Sequence, residues 1–240
     1  MKYTMSDAPK AVDRSDLQGL SLSEIVLICS TIPNGHSWLE LLGVAPPFRT
    51  EEVQASGISA LVSRGLLDLS THALAGPAAG LAKVAGSAEW VADMVWPARG
   101  GGFGRMVAAL GASVTLILRL ETPCVWWVAR SRDAVAPAQA LTAALESTFA
   151  LESTNVALVL GDGFAADNRR QLLLEATDST VTATAVDGTR KKMPSNELCR
   201  FIEDELVTLD RPGVGSLQDG HDRPDGGNSA GVPAAAEPAP

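Results

Sequence analysis

The spacing of apolar residues changes near residue 89. Before that point they recur with a period close to 3.6 residues, which is typical of amphipathic helices. Ser21 and Glu24 have the spacing of a capping box, and Thr50 can cap a helix that stops before Gly65. The pattern therefore predicts helices over residues 22 to about 31, over 51–64 and over 77–86.

After residue 89 the apolar residues form short runs bounded by turn residues, a pattern that favours strands. Strands are predicted over residues 90–96, 105–110, 114–120 and 125–130, before Gly163, and in a hairpin of 172–177 and 181–186. Helices are predicted over residues 137–149 and 194–207.

An internal repeat is the strongest signal in the chain. With a shift of 57 residues, residues 115–149 align without a gap on residues 172–206, hairpin on hairpin and helix on helix. Pro137 falls on Pro194, and a fixed φ suits the first turn of a helix. The sequence therefore predicts an α+β fold in two quasi-equivalent halves. Its sheet is expected to be mixed, mainly antiparallel, with helices packed on one face.

The two ends of the chain differ in composition from the rest. The first residues are polar, and the last thirty contain five Pro and six Gly. Segments with few large apolar residues cannot offset their ordering entropy by burial. We expect a disordered N-terminus over residues 1–16, a single α+β domain over 17–209, and a disordered Pro/Gly-rich tail over 210–240.

Charge and hydropathy restrict the classes of function. The chain has 28 acidic residues against 19 Lys and Arg, whereas nucleic-acid binding needs bases to neutralise phosphates. No apolar stretch approaches the roughly 20 residues that cross a bilayer, and the N-terminus lacks the apolar region of a signal peptide. We therefore expect no nucleic-acid partner, no membrane insertion and a cytoplasmic location.

The sequence contains no complete catalytic or metal-binding motif. The glycines at positions 100, 101, 102 and 104 are not followed by the Lys and Ser/Thr of a phosphate-binding loop. The three histidines form no HExxH motif, the three cysteines are far apart, and no GxSxG motif occurs. We expect a protein that is not an enzyme and that uses no cofactor and no metal.

Four aromatic residues in the first half are candidates for binding a partner. Trp126 and Trp127 are adjacent in a predicted strand, so their rings point to opposite faces and one of them points outward. Trp96 at a strand end and Phe103 in the Gly-rich loop belong to the same half. Exposed aromatic rings are typical of protein-binding surfaces. We therefore expect these four residues to bind a protein partner.

The order of the elements resembles that of the EspG family, the cytosolic chaperones of actinobacterial type VII secretion. The likeness covers about residues 20–207. It rests on the Leu-Ser-Leu-Ser-Glu start at residues 20–24, the segment 60–67, the strands 90–96 and 105–110, and the hairpin and helix that close each half. It implies a non-catalytic chaperone that binds a PE–PPE substrate and keeps it soluble. The chain departs from the family in having few residues between Phe149 and Asn155, where family halves carry helices.

Two other interpretations stay open. Residues 61–68 also resemble the passage from recognition helix to wing in winged-helix transcriptional regulators, although Arg64 is the only base between Thr50 and Leu69. The other alternative is a homodimeric α+β binding protein whose copies pair through an edge strand.

Overall fold

A nine-stranded antiparallel sheet with helices on both faces is the centre of the fold, as a computed structural model of the chain shows. The structure describes residues 18–111, 115–122, 125–130, 135–163 and 169–209. The predicted α+β class is confirmed. The disorder predicted for residues 1–16 and 210–240 concerns segments that lie outside the described residues.

The described helices and strands fall into three consecutive blocks along the chain. The N-terminal block contains β1 (Gln18–Ser21), α1 (Leu22–Ser30), α2 (Gly35–Leu41), α3 (Glu51–Ser63), β2 (Leu67–Asp68), β3 (Ala73–Leu74) and α4 (Gly76–Ala85). The second block contains β4 (Trp90–Pro97), β5 (Phe103–Leu110), β6 (Thr115–Thr122), β7 (Val125–Arg130) and α5 (Pro137–Leu151). The third contains β8 (Asn155–Asp162), β9 (Arg169–Ala176), β10 (Thr180–Ala185), β11 (Arg190–Pro194) and α6 (Leu198–Leu209).

The strand order shows how the two halves join. It is β1-β7-β6-β5-β4-β8-β9-β10-β11, and the described neighbours pair antiparallel, so the sheet is not mixed. Strands β4 to β7 form one meander and β8 to β11 form another, and the two meanders meet where β4 pairs with β8. Strands β2 and β3 form a separate hairpin.

The meanders are two related halves, but the predicted register between them is wrong. Corresponding strands begin 65 or 66 residues apart, with β4 matching β8 and β7 matching β11, and a helix follows the last strand of each half. A shift of 57 residues instead aligns β6–β7 with β9–β10 and leaves β11 without a counterpart. The pattern misses β11 because Arg190–Pro194 begins with three bases and buries only Met193. Pro194 therefore ends a strand and does not begin a helix.

Local signals account for three of the N-terminal helices, and for α4 the signal is Pro77 in its first turn. In the capping box, Glu24 N donates to Ser21 Oγ at 3.4 Å, and Ser21 N donates to Glu24 Oε2 at 2.7 Å. The Thr50 hydroxyl accepts from Val53 N at 3.4 Å where α3 begins, and Gly65 follows its end with φ +67°. The predictions for α1, α3 and α4 are therefore confirmed.

Side chains alternate between two cores on opposite sides of the sheet. The face that we call the α5–α6 face packs those two helices against buried residues that include Met94, Met106, Leu158 and Leu172. The α1–α4 face packs the N-terminal helices against Val91, Val107, Leu118, Trp126 and Val128. The prediction that the helices lie on one face is wrong, because the N-terminal helices pack against the opposite face from α5 and α6.

The α1–α4 layer covers only the first half of the sheet. Its core contains no residue of β8, β9, β10 or β11 among the described residues. Between the end of α5 and the start of β8 lie Glu152–Thr154, which are too few residues to form a helical layer. The second half consequently presents one sheet face that none of the described helices covers.

Candidate protein-binding site

The bare half-sheet face, as we name it, is the α1–α4 side of β8 to β11 together with the adjoining loop ends of β4 and β5. Strand register places one residue from each of five strands side by side on this face, because directly paired residues of antiparallel strands point the same way. This row is Val95, Ala157, Leu173, Thr184 and Arg190. The row is apolar on β4, β8 and β9 and polar on β10 and β11.

A contiguous set of apolar side chains follows the apolar end of that row. Leu173 is 44% exposed, Ala157 is exposed, and Val95 and Val159 are half-buried. Phe103 is 79% exposed and pairs in register with Pro97, and alternation along the strands puts both on the bare half-sheet face. We call this set the apolar stripe: Phe103, Pro97, Val95, Ala157, Val159 and Leu173. Contiguous exposed apolar surface with a polar rim is typical of interaction sites.

The first half shows how the corresponding positions differ when helices cover them. In the first half, register places Asp93, Val107, Leu118 and Val128 side by side on the α1–α4 face, as Ala157, Leu173, Thr184 and Arg190 lie side by side on β8 to β11. Val107, Leu118 and Val128 are buried. The covered half has large apolar residues at the three last positions, whereas the bare half keeps a large one only on β9. The bare half-sheet face is therefore suited to contact water on β10 and β11 and an apolar surface on β8 and β9.

An ion pair forms the inner border of the site. Arg105 Nη2 lies 2.9 Å from Asp93 Oδ2, and both side chains are about three-quarters or more buried. The same Nη2 donates to the Leu41 carbonyl oxygen at the end of α2. Gly43 (φ +74°) allows this approach, since an added Cβ would lie 3.0 Å from Arg105 Nη1. The pair thus joins the edge of the helical layer to the sheet beside the apolar stripe.

Basic side chains form the outer border. Arg190 and Lys192 project from β11 on the bare half-sheet face, and Arg169 projects from the start of β9. Arg190 Nη2 lies 3.6 Å from Glu175 Oε2, and its Nε donates to Thr184 Oγ1 at 3.4 Å. Within the part of the chain that the structure describes, Lys192 and Arg169 form no ion pair. This border is positive although the chain as a whole is acidic.

The loop that precedes Phe103 is tied to the end of α5. Arg99 Nε donates to the Glu152 carbonyl oxygen at 3.2 Å, and the Glu152 carboxylate lies 2.6 Å from Arg119 Nη2. Gly101 and Gly102 have φ values of +90° and +78°, which residues with a Cβ rarely adopt. These features hold Phe103 at the end of the hairpin with its ring exposed.

The four aromatic residues predicted from the sequence do not form one exposed cluster. Phe103 is exposed, but Trp96 is 1% exposed in the α5–α6 core and Trp126 is 2% exposed in the α1–α4 core. Trp127 is the outward member of its pair and is half-buried on the α5–α6 side, where its ring lies over Gly19. Alternation along each strand separates these rings, so Trp96 and Trp126 serve packing and a partner can reach only Phe103 and part of Trp127.

Sequence reasoning missed the residues of β8 and β9 that form the middle of the site. The available signal is the run of three leucines at residues 172–174. A strand with one face in water needs apolar residues only at alternate positions, and here Leu172 and Leu174 are buried while Leu173 is not. Leu173, the leucine that is not needed for the core, therefore indicates that the other face of β9 contacts something besides water.

The rest of the described surface contains no evident catalytic arrangement. Two open grooves, of about 380 and about 300 Å³, are lined by Ser, Thr, Asp, Glu and apolar residues without His or Cys. No group of three or more His, Cys, Asp or Glu among the described residues could hold a metal. Burial raises the pKa of the Cys29 thiol to about 12, which keeps it protonated and unreactive at neutral pH.

Two further observations bear on classification. None of the described helices combines the length and the apolar character needed to cross a bilayer. The chain matches no protein-family model, and a search of curated proteins finds no match.

Proposed function

We propose that this protein is a non-catalytic cytosolic chaperone or adaptor that holds a helical segment of an aggregation-prone protein on its bare half-sheet face. The observation that carries the proposal is the absence of a helical layer over β8 to β11 among the described residues, together with the exposed apolar stripe. The resemblance to EspG chaperones implies that the partner is a PE–PPE-type secretion substrate.

The first half of the same sheet supplies a physical template for the complex. There, α4 lies against β5, β6 and β7, and the N-terminal layer buries Val107 and Leu118 completely. Four strands about 4.8 Å apart span roughly 15 Å, enough for one helix about 10 Å wide with its flanking side chains. A partner helix on β8 to β11 would pack against the second half of the sheet as the N-terminal helices pack against the first half.

The expected affinity is moderate. A contact that buries roughly 400 Å² of apolar surface contributes about 10 kcal/mol at about 25 cal/mol per Å². Lost translational and rotational freedom costs about 4–15 kcal/mol, and the ordering of side chains adds to that cost. Such a balance suits a protein that keeps its partner soluble and then releases it.

The charges on α3 argue against the alternative of a winged-helix regulator that binds DNA. Helix α3 and the β2–β3 hairpin have the order of a helix and a wing, but the first turn of α3 carries Glu51 and Glu52. Arg64 places Nη1 2.7 and 2.8 Å from the two carboxylate oxygens of Glu24. Its charge is therefore compensated within the protein and is not available to a phosphate.

The β11 edge also disfavours a homodimer through that strand. Two antiparallel copies of β11 would bring Arg190, Lys191 and Lys192 of both chains together, and Pro194 has no N–H to donate. Charged residues and proline are typical of edge strands that resist pairing.

The test is capture of a partner by the full chain from its native cell, followed by mass spectrometry. Leu173→Asp, which places a charge in the apolar stripe, is expected to lose the partner. Val207→Asp is the matched control, because Val207 is 49% exposed on α6, away from the bare half-sheet face. Phe103→Ala is expected to weaken capture. Phe48→Ala is its control, since Phe48 is 51% exposed in the short 3-10 helix Pro46–Phe48 between α2 and α3.

The proposal is supported only if the captured protein is helical and is lost with Leu173→Asp but kept with Val207→Asp. Recovery of the chain alone, equal capture by both variants, or turnover of a small molecule at the same face rejects it.

A further inference from the structure

We infer that the helix bound by the bare half-sheet face is acidic along one flank, so that its carboxylates meet the basic border on β11 while its apolar side covers the apolar stripe. This inference rests on the proposed function and specifies the chemistry of the partner.

The charges on the face carry the inference. Outside the Asp93–Arg105 pair, the described part of the bare half-sheet face has three bases, Arg169, Arg190 and Lys192, and one acid, Glu175. Glu175 is partly engaged with Arg190 at 3.6 Å, which leaves an excess of positive charge. The chain has a formal net charge of −9, so this border has the opposite sign to the whole protein.

The distance between the apolar stripe and the basic residues of β11 matches the width of one helix. Leu173 on β9 pairs with Thr184 on β10, and Thr184 pairs with Arg190 on β11. Two strand spacings therefore separate the exposed leucine from the arginine, about 10 Å. A helix is about 10 Å wide with its side chains, so an apolar residue on its underside and an acidic residue about 100° round its axis reach the two positions. An apolar residue over Leu173 and a Glu or Asp on the neighbouring row satisfy the two contacts together.

A second copy of this chain fits less well. A copy would have to present an exposed apolar helix face with acids beside it. The exposed side of α6 has Glu203 and Asp204 but only Val207 as a large apolar residue. Helix α3 exposes Ile58 and Val62 by 38% and 36%, and its acids, Glu51 and Glu52, lie in its first turn, more than one turn before them. The occupant of the bare half-sheet face is therefore a different protein, and the experiment below also detects binding of nucleic acid or self-association.

The probes are two fluorescein-labelled helical peptides of about five turns (~18 residues) with the same Leu and Ala stripe. One has Glu along a single flank, and the other has Lys at the same positions. Anisotropy with the full chain is expected to show about tenfold tighter binding of the Glu peptide at ~0.05 M salt and a much smaller difference at ~0.5 M salt.

Charge reversal assigns the effect to β11. Arg190→Glu with Lys192→Glu is expected to reverse the preference between the two peptides. Lys191→Glu with Arg200→Glu changes the net charge equally but acts elsewhere, since Lys191 lies on the opposite face over the Phe201 ring and Arg200 is on α6. The control is expected to keep the preference for the Glu peptide. Thermal melts of both double variants confirm that each is folded.

The outcomes separate the two proposals. Equal binding of both peptides, abolished by Leu173→Asp, rejects the acidic flank and retains the helix site. If neither peptide binds, both proposals are rejected. A preference that survives the β11 reversal, tighter binding of a single-stranded or duplex oligonucleotide than of the Glu peptide, or dimerisation of the chain that blocks the peptide also rejects the acidic helix as occupant.

Discussion

Replacing Arg64 with methionine removes the cation that faces the buried carboxylate of Glu24. The two Nη1–Oε distances are 2.7 and 2.8 Å, and Glu24 is 1% exposed. Removing one partner of a fully buried ion pair costs about 3–5 kcal/mol, because the other charge stays buried. Here the Arg64 side chain is 38% exposed and Glu24 keeps its Ser21 donors. We therefore expect a smaller loss, about 2 kcal/mol of unfolding free energy.

Urea unfolding at neutral pH, followed by circular dichroism, measures this loss. Glu24→Gln removes the charge but keeps an acceptor for the capping box, so in the double variant the costs are expected to be less than additive by about 1 kcal/mol. Arg200→Met removes an exposed base from α6 and is expected to change stability by less than about 0.5 kcal/mol. A loss in Arg64→Met no larger than in Arg200→Met, or strict additivity in the double variant, would refute the reasoning.

Three further predictions concern stability. In Gly104→Ala the added Cβ would lie 2.3 Å from the buried Trp96 ring, so we expect a loss of about 1–3 kcal/mol, measured by urea unfolding. Gly80→Ala, where α4 has open space, is the matched substitution and is expected to gain about 1 kcal/mol; a loss there contradicts the packing argument. Since burial raises the pKa of the Cys29 thiol to about 12, whereas an unfolded thiol has a pKa of about 8.5, the unfolding free energy is expected to fall as pH rises from about 8.5 toward 12. Cys29→Ala is expected to show a smaller fall over that range, and equal slopes for the two proteins would show that the buried thiol is not the cause.

The helices and central strands follow from local chemistry. The capping box at Ser21, the cap at Thr50 and the left-handed stop at Gly65 act over three or four residues, so their spacing is visible in the sequence. The strands β4 to β7 form short apolar runs because both of their faces are buried, each by a different layer. For these elements the periodicity and the final structure agree.

Other elements depend on contacts that no local pattern contains. Helix α2 starts after Asn34 in a left-handed conformation, and an added Cβ at Gly35 would lie 1.6 Å from the Cys29 carbonyl oxygen. This approach between α1 and α2 exists only in the folded chain. Strand β11 is polar along most of its length and forms because the backbone of β10 offers hydrogen bonds at the sheet edge. Missing β11 shifted the predicted repeat from about 65 to 57 residues.

In the candidate site, too, some features follow from the sequence and others depend on tertiary contacts. The amino-acid sequence by itself determined that apolar side chains occur at Phe103 and at the three leucines of residues 172–174, and that bases cluster at residues 190–192. Only the tertiary structure decided which of those side chains meet, because the face of a strand residue depends on register and on which layer covers it. Register buried Trp96 and Trp126, and it left Leu173 exposed in the same row as Arg190, two strands away. Because the N-terminal helices cover only one of the two halves, none of the described helices covers the equivalent face of the other half.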